Sequence, residues 1–280
     1  MVLSSNLWRN EAPAPRAPQI SLQLSRTQRL VELSRPWAIF TLYLIFALAH
    51  QWWLAVPAAL ATCLAAFVQM HDTIHRSLGL SKKGHEVMLS LSALLLLKSG
   101  HGLQITHLRH HGRCLAEDDP EGACAHWPFY RVLLEGPFHI LAMRLYSFRT
   151  SPNTRRIQLV ETAATGGLLV LSLAGYVLFG SFAGLLYWAV AAVLSATMPL
   201  WAAYLPHRLA PRHPVVRTAA KFARIWTPVV NSFAYHHAHH AFPKIPTVLL
   251  PVAARQLDFS NADFGVHHQD PHQPQQEPTP

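Results

Sequence analysis

Charge is scarce in this 280-residue chain. Asp, Glu, Lys and Arg together make up 13 %, about half of the roughly 25 % found in an ordinary soluble domain. With 51 % apolar residues and a mean hydropathy of +0.17, that scarcity excludes a disordered chain and a charge-laced coiled coil. Cysteine is scarce too. Cys63, Cys114 and Cys124 cannot build a disulfide framework and are expected as free thiols. There is no HExxH, which argues against a zinc protease. There is no cysteine-rich cluster motif either, so no fused electron-transfer domain is expected. No apolar stretch opens the chain as a cleavable signal peptide would. The polar, Pro-containing residues 1–28 and the His/Gln/Pro-rich residues 258–280, with His267, His268 and His272, are expected to be disordered and solvated. They flank a membrane domain at 29–257.

Long apolar runs are plentiful. Four are expected to cross a bilayer: Pro36–Ala49, Trp52–Met70, Leu159–Phe179 and Ala183–Leu205. The last two would give about 31–35 Å of helix, sufficient for a hydrocarbon core of about 30 Å. A fifth run, Val87–Leu97, is too short to span and reads as re-entrant or interfacial. The basic residues test this topology. Five lie in the arm up to Arg35, eleven between 71 and 158, and seven after 206. The turns within the two hairpins carry none. Positive charge near spans stays cytoplasmic, so the termini and the central segment are expected in the cytosol. The net charge of +9 is therefore an orientation signal, and nucleic acid drops out as a partner.

Histidine is abundant: 19, against 14 acids. Three clusters stand out. His71-Asp-Thr-Ile-His75 is an HxxxH at the cytosolic end of the second span. His107-Leu-Arg-His110-His111 and His236-His-Ala-His239-His240 are both HxxHH. Residues at i, i+3 and i+4 share a helical face, so each cluster can turn two or more imidazoles toward one metal. The hairpin of two spans between the second and third clusters returns all three to one membrane face. Eight cluster ligands exceed the four that one zinc takes, which implies two metals. Imidazole alone does not choose among Zn, Cu, Fe and Ni. A transporter would hold its ligands near the bilayer midplane; here they sit at helix ends. A non-catalytic membrane metal-binding or transport protein is the remaining reading from another class.

With HDTIH at 71–75, HLRHH at 107–111 and HHAHHAFPKIP at 236–246, the chain resembles the membrane di-iron fatty acid desaturase superfamily over about residues 36–256. The resemblance implies an all-α polytopic membrane protein: four transmembrane helices in two hairpins, capped by a cytosolic histidine-rich di-metal site. It implies two iron ions held by His71, His75, His107, His110, His111, His207 (in Tyr204-Leu-Pro-His-Arg208), His236, His239 and His240. Asp72 would orient a ligating imidazole. Asp118 and Asp119, in the acidic run Ala116–Gly122, either support ligands or form a solvated turn. His237 is a further candidate behind the ligands; His101 and His213 are weaker ones. Many acyl desaturases carry Asn two residues before the last box, where this chain has Ala234, and Asn231 is the candidate substitute. The implied chemistry is dioxygen-dependent desaturation or hydroxylation of an acyl chain on a lipid or thioester carrier. A separate ferredoxin- or cytochrome-type donor would supply the electrons. Carotenoid ketolases and hydroxylases of the same superfamily are the alternative.

Overall fold

A computed structural model describes residues 22–222 and 227–256. Among these there is no strand. Helix α1 (Arg26–Leu48) begins with a capping box, in which Ser25 and Gln28 satisfy each other's backbone N–H groups. It starts ten residues before the expected span and runs through Pro36, an interruption tolerated in membrane helices. Residues 26–28 of the expected disordered arm are thus helical. The rest of that arm up to residue 21, and the tail 258–280, lie outside the described residues.

Between α1 and α2 (Trp52–Ile74), His50 takes a left-handed φ of 57°. His50 N–H donates to Ala47 and Gln51 N–H to Phe46, which closes α1 with a Schellman motif. The same device, with Arg76 at φ 57°, stops α2 immediately after the first histidine cluster. α2 presents Ala55, Ala59, Cys63 and Ala66 to the core, all fully buried. These small side chains let α3 (Lys82–Leu95) and the later spans approach closely. Tyr43, Leu89 and Tyr187 fill the space around them.

α4 (Gly100–Gly112) carries the second histidine cluster. After it the chain forms α5 (Phe129–Thr150), which was not anticipated. Arg131, Glu135, Arg144 and Arg149 make α5 too charged to span, and Pro137 interrupts its pattern. Its Tyr130, Leu134, Phe138 and Leu141 stand exposed along one side, the amphipathic signature of a helix lying at a membrane surface. Its other side meets α7 where Gly136 faces the Ala196 carbonyl, and a Cβ at Gly136 would lie 2.5 Å from that oxygen. α6 (Arg155–Phe179) and α7 (Ala183–Met198) form the second long hairpin. With α1 and α2 they give four helices long and apolar enough to cross a membrane. α7 continues through a π-helical stretch, Pro199–Tyr204, into α8 (Leu205–Arg208). The wider turn resets the phase of the residues that follow. Helices α9 (Pro214–Phe222), α10 (Thr227–Ala234), α11 (His236–Ala241) and α12 (Leu250–Gln256) close the histidine end.

Candidate metal centre

Three helix ends and one helix start converge there. α2 delivers His71 and His75, one turn apart, before its Schellman stop. α4 delivers His107, His110 and His111. The π-helical stretch leads into α8 with His207, and α11 supplies His236, His239 and His240. All nine sequence-expected imidazoles meet in one cluster.

Two groups are distinguishable. His71, His75, His107 and His239 each place a ring nitrogen within 4.8 Å of the others, and all four are buried. His110, His207 and His240 form the second group, with the Cys114 sulfur inside the same 4.8 Å limit. His236 Nε2 joins it, 3.0 Å from His207 Nε2 and 3.1 Å from His240 Nε2. His111 sits between the groups. Its Nε2 is 2.9 Å from His239 Nε2, and its ring stacks on His240 at 4.3 Å.

The nitrogen–nitrogen contacts decide what this cluster is for. His207 Nε2 lies 3.0 Å from both His110 Nε2 and His236 Nε2. His75 Nε2 and His107 Nε2 are 2.9 Å apart. A ring nitrogen carries either one lone pair or one proton, so it cannot make two hydrogen bonds to other ring nitrogens. A cation among them satisfies every lone pair at once. Imidazoles bound at about 2.1 Å from a metal, at right angles, would sit about 3 Å apart. The donor set fits a pair of metal ions.

The carboxylates behind the ligands support the same conclusion. Asp119 accepts from His110 Nδ1 at 2.6 Å, and Glu121 accepts from His107 Nδ1 at 2.9 Å. Each therefore fixes the tautomer that turns the Nε2 lone pair inward. Asp119 also accepts the backbone N–H groups of Leu115, Glu121 and Gly122. A Cβ at Gly122 would collide with the Asp119 carboxylate, so glycine is required there. Burial pushes the Asp119 carboxyl up, but the His110 hydrogen bond and the backbone donors outweigh it and hold it at about 2. Burial also opposes charge on His110, yet its bond to Asp119 leaves the net shift upward. Burial, reinforced by neighbouring rings, holds His75, His107, His236, His239 and His240 well below the usual imidazole range. It brings His111 down to about 4. Burial thus favours the neutral ring, the form that binds metal.

The other expected residues fall differently. Asp118 points outward and pairs with Arg109 and Arg113, so it holds the end of α4 and touches no imidazole. Asp72 makes no hydrogen bond to His71. Its Oδ1 lies 3.6 Å from His71 Nδ1, and it accepts from the Thr247 N–H and hydroxyl, the latter at 2.6 Å, which ties α2 to the loop after the third cluster. Asn231 is fully buried and donates to the Thr247 carbonyl, so it buttresses that same loop. His237 is half-buried and belongs to neither group of ligating rings. His213 is exposed, its Nδ1 accepting from Val215 N–H. His101 belongs to a separate network, between Glu161 at 2.7 Å and Glu86 at 2.9 Å. Glu121 was the residue the sequence reading missed. The signal was present: it lies in the same acidic run as Asp119, two residues on.

A roughly 260 Å³ apolar cavity adjoins the second group. Phe67, Trp201, Leu205, Pro206, Val230 and Phe233 are among its walls. Phe67 stacks on His71, and Pro206 precedes His207.

A model of the fatty acid desaturase family matches residues 50–271, so the chain belongs to that family. It is an oxidoreductase whose family implies a lipid substrate and a membrane environment. No curated protein and no solved structure matches it.

Proposed function

We propose that this protein is a multi-pass membrane di-iron enzyme that oxidises an acyl chain, by desaturation or hydroxylation, with dioxygen and electrons from a separate ferredoxin- or cytochrome-type donor. The observation that carries the reading is the convergence of nine imidazoles, with inward Nε2 lone pairs, beside an apolar cavity. His71, His75, His107 and His239 would hold one iron, and His110, His207, His236 and His240 the other, with His111 between them. Two irons bound there supply the activation of dioxygen and the removal of hydrogen from an unactivated C–H bond.

The chain supplies the rest. Asp119 and Glu121 hold His110 and His107 in the ligating tautomer. Burial keeps water away from the ligand cluster. The apolar walls, with Phe67 against His71, fix a hydrocarbon chain beside the site, and that positioning decides which C–H bond reacts. The distribution of Lys and Arg supports a cytosolic metal end and cytosolic termini, within reach of a soluble donor.

The test is mass-spectrometric acyl profiling of host lipids after expression with a reductase partner, against a His110→Ala control. A new unsaturated or hydroxylated chain made only by the wild type is expected. An unchanged profile from inserted, iron-loaded wild type would overturn the reading.

A further inference from the structure

Below the metal end, half-buried Lys98 and exposed Arg144 line one cavity with no carboxylate within ion-pair distance among the described residues. Lys98 follows Leu97, whose left-handed φ of 54° ends α3. Lys98 N–H bonds back to the Ala93 carbonyl and fixes the turn. A leucine in that conformation is strained, and the turn leaves the half-buried Lys98 ammonium donating to Ser195 on α7. Arg144, on α5, donates to Thr162 on α6. Both side chains line one cavity of roughly 200 Å³, together with Ser99, Thr106 and Met143. Among the described residues neither has an acidic partner within ion-pair distance. The nearby carboxylate of Glu161 is engaged by Ser90, Ser99 and His101. Lys98 uses one of three donors and Arg144 one of five. Burial and the neighbouring guanidinium bring the Lys98 ammonium down to about 8, as expected of a cation whose counter-charge is missing.

The cavity shares walls with two neighbouring spaces. Leu97, Ile140 and Ser195 also border a second space of about 270 Å³ reaching Pro137 and Ala192, both exposed. That is a lateral mouth between α5 and α7, facing the bilayer. In the other direction Lys98 and Ser195 border an apolar seam of only about 10 Å³, room for one water, whose other walls include Met70, Phe67 and Trp201, the last two of which also wall the cavity at the metal end. From Ser195 to His207 the α7–α8 rod rises about 18 Å, a distance that an extended acyl chain covers.

We propose that Lys98 and Arg144 are a head site that binds the carboxylate of a single-chain acyl substrate, whose methylenes part the seam along α7 toward the histidines. The inference rests on the acyl-oxidising reading and sharpens it: the substrate is a fatty acid presented from the bilayer, and a carotenoid, which carries no anion, is excluded.

The test is binding of oleate and methyl oleate to the purified, iron-loaded full chain, by displacement of a fluorescent fatty acid. The wild type is expected to prefer oleate at least tenfold, since a hydrogen bond to a charged group contributes that order of discrimination. Arg144→Gln, on an exposed residue, and Lys98→Met should each lose that preference, while methyl oleate binding and iron content stay unchanged. Lys98→Arg should retain it. Equal binding of the two ligands by the wild type, or wild-type preference in both loss variants, would overturn the proposal. Displacement of oleate by phosphatidylglycerol at equal concentration would overturn the carboxylate assignment. Wild type that prefers oleate but makes no oxidised acyl product leaves the head site standing and removes the desaturase reading. A wild type that oxidises the ester and the acid equally well does the reverse.

Discussion

Helices α2 and α6 have the same mean hydropathy over their most apolar stretches, yet more than half of that stretch is buried in α2 and none in α6. α2 turns its alanines to the core and ends in two imidazoles of the metal centre. α6 faces outward along nearly its whole length, with Leu171, Val177, Leu178 and Phe179 exposed. Its buried residues are Gln158 and Glu161, near its first turn. Hydropathy reports that a segment leaves water. It does not report whether protein or lipid receives it, because lipid tails are as apolar as a core. Small residues do not separate the two by themselves: α2 buries Ala55, Ala59 and Ala66, whereas Gly166, Gly167 and Gly175 of α6 have no neighbour within 4 Å of a Cβ.

That contrast can be broken at four places. The largest effect belongs to the inward end of α2. His75→Ala removes a ring in contact with His71, His107, His111 and His239, and should abolish product formation and lower bound metal with the protein still inserted. Next is the small-residue face. Ala59 is fully buried, and Ala59→Leu should destabilise the detergent-solubilised protein by about 1–3 kcal/mol through overpacking, visible as a lower thermal midpoint.

The third place is an inward tie of α6. His101 sits between Glu161 and Glu86, and those hydrogen bonds raise its pKa above the ordinary value of 6.5. A raised histidine stabilises the fold fully below that ordinary value and loses its contribution as pH rises through its own, higher one. The thermal midpoint should therefore fall as pH rises from about 6.5, and His101→Gln should flatten that slope. The smallest effect belongs to the outward face. Leu171→Ala should change stability by less than about 0.5 kcal/mol; a loss like that at Ala59 would mean that α6 has a protein partner.

Much of this was legible in the sequence. The two long hairpins follow from apolar runs and from charge-free turns, eight of the nine histidines from i, i+3, i+4 spacing, and His207 from the family resemblance. α5 was not legible, because a helix lying at a membrane surface keeps its charges and falls below any spanning criterion. Nor was the division of labour among the acids. Asp118 and Asp119 are neighbours in a loop without periodicity, and only the fold sends one to Arg109 and the other to His110. Asp72 and Asn231 serve a loop more than ten residues away in sequence, a pairing that spacing does not encode. The cations Lys98 and Arg144 read as topology signals and turn out to share a cavity wall.

The central claim is that the nine imidazoles hold two irons. Metal analysis of the purified wild-type chain by inductively coupled plasma mass spectrometry tests it most directly. The account predicts two irons per chain. One metal per chain, none, or zinc in place of iron would contradict it.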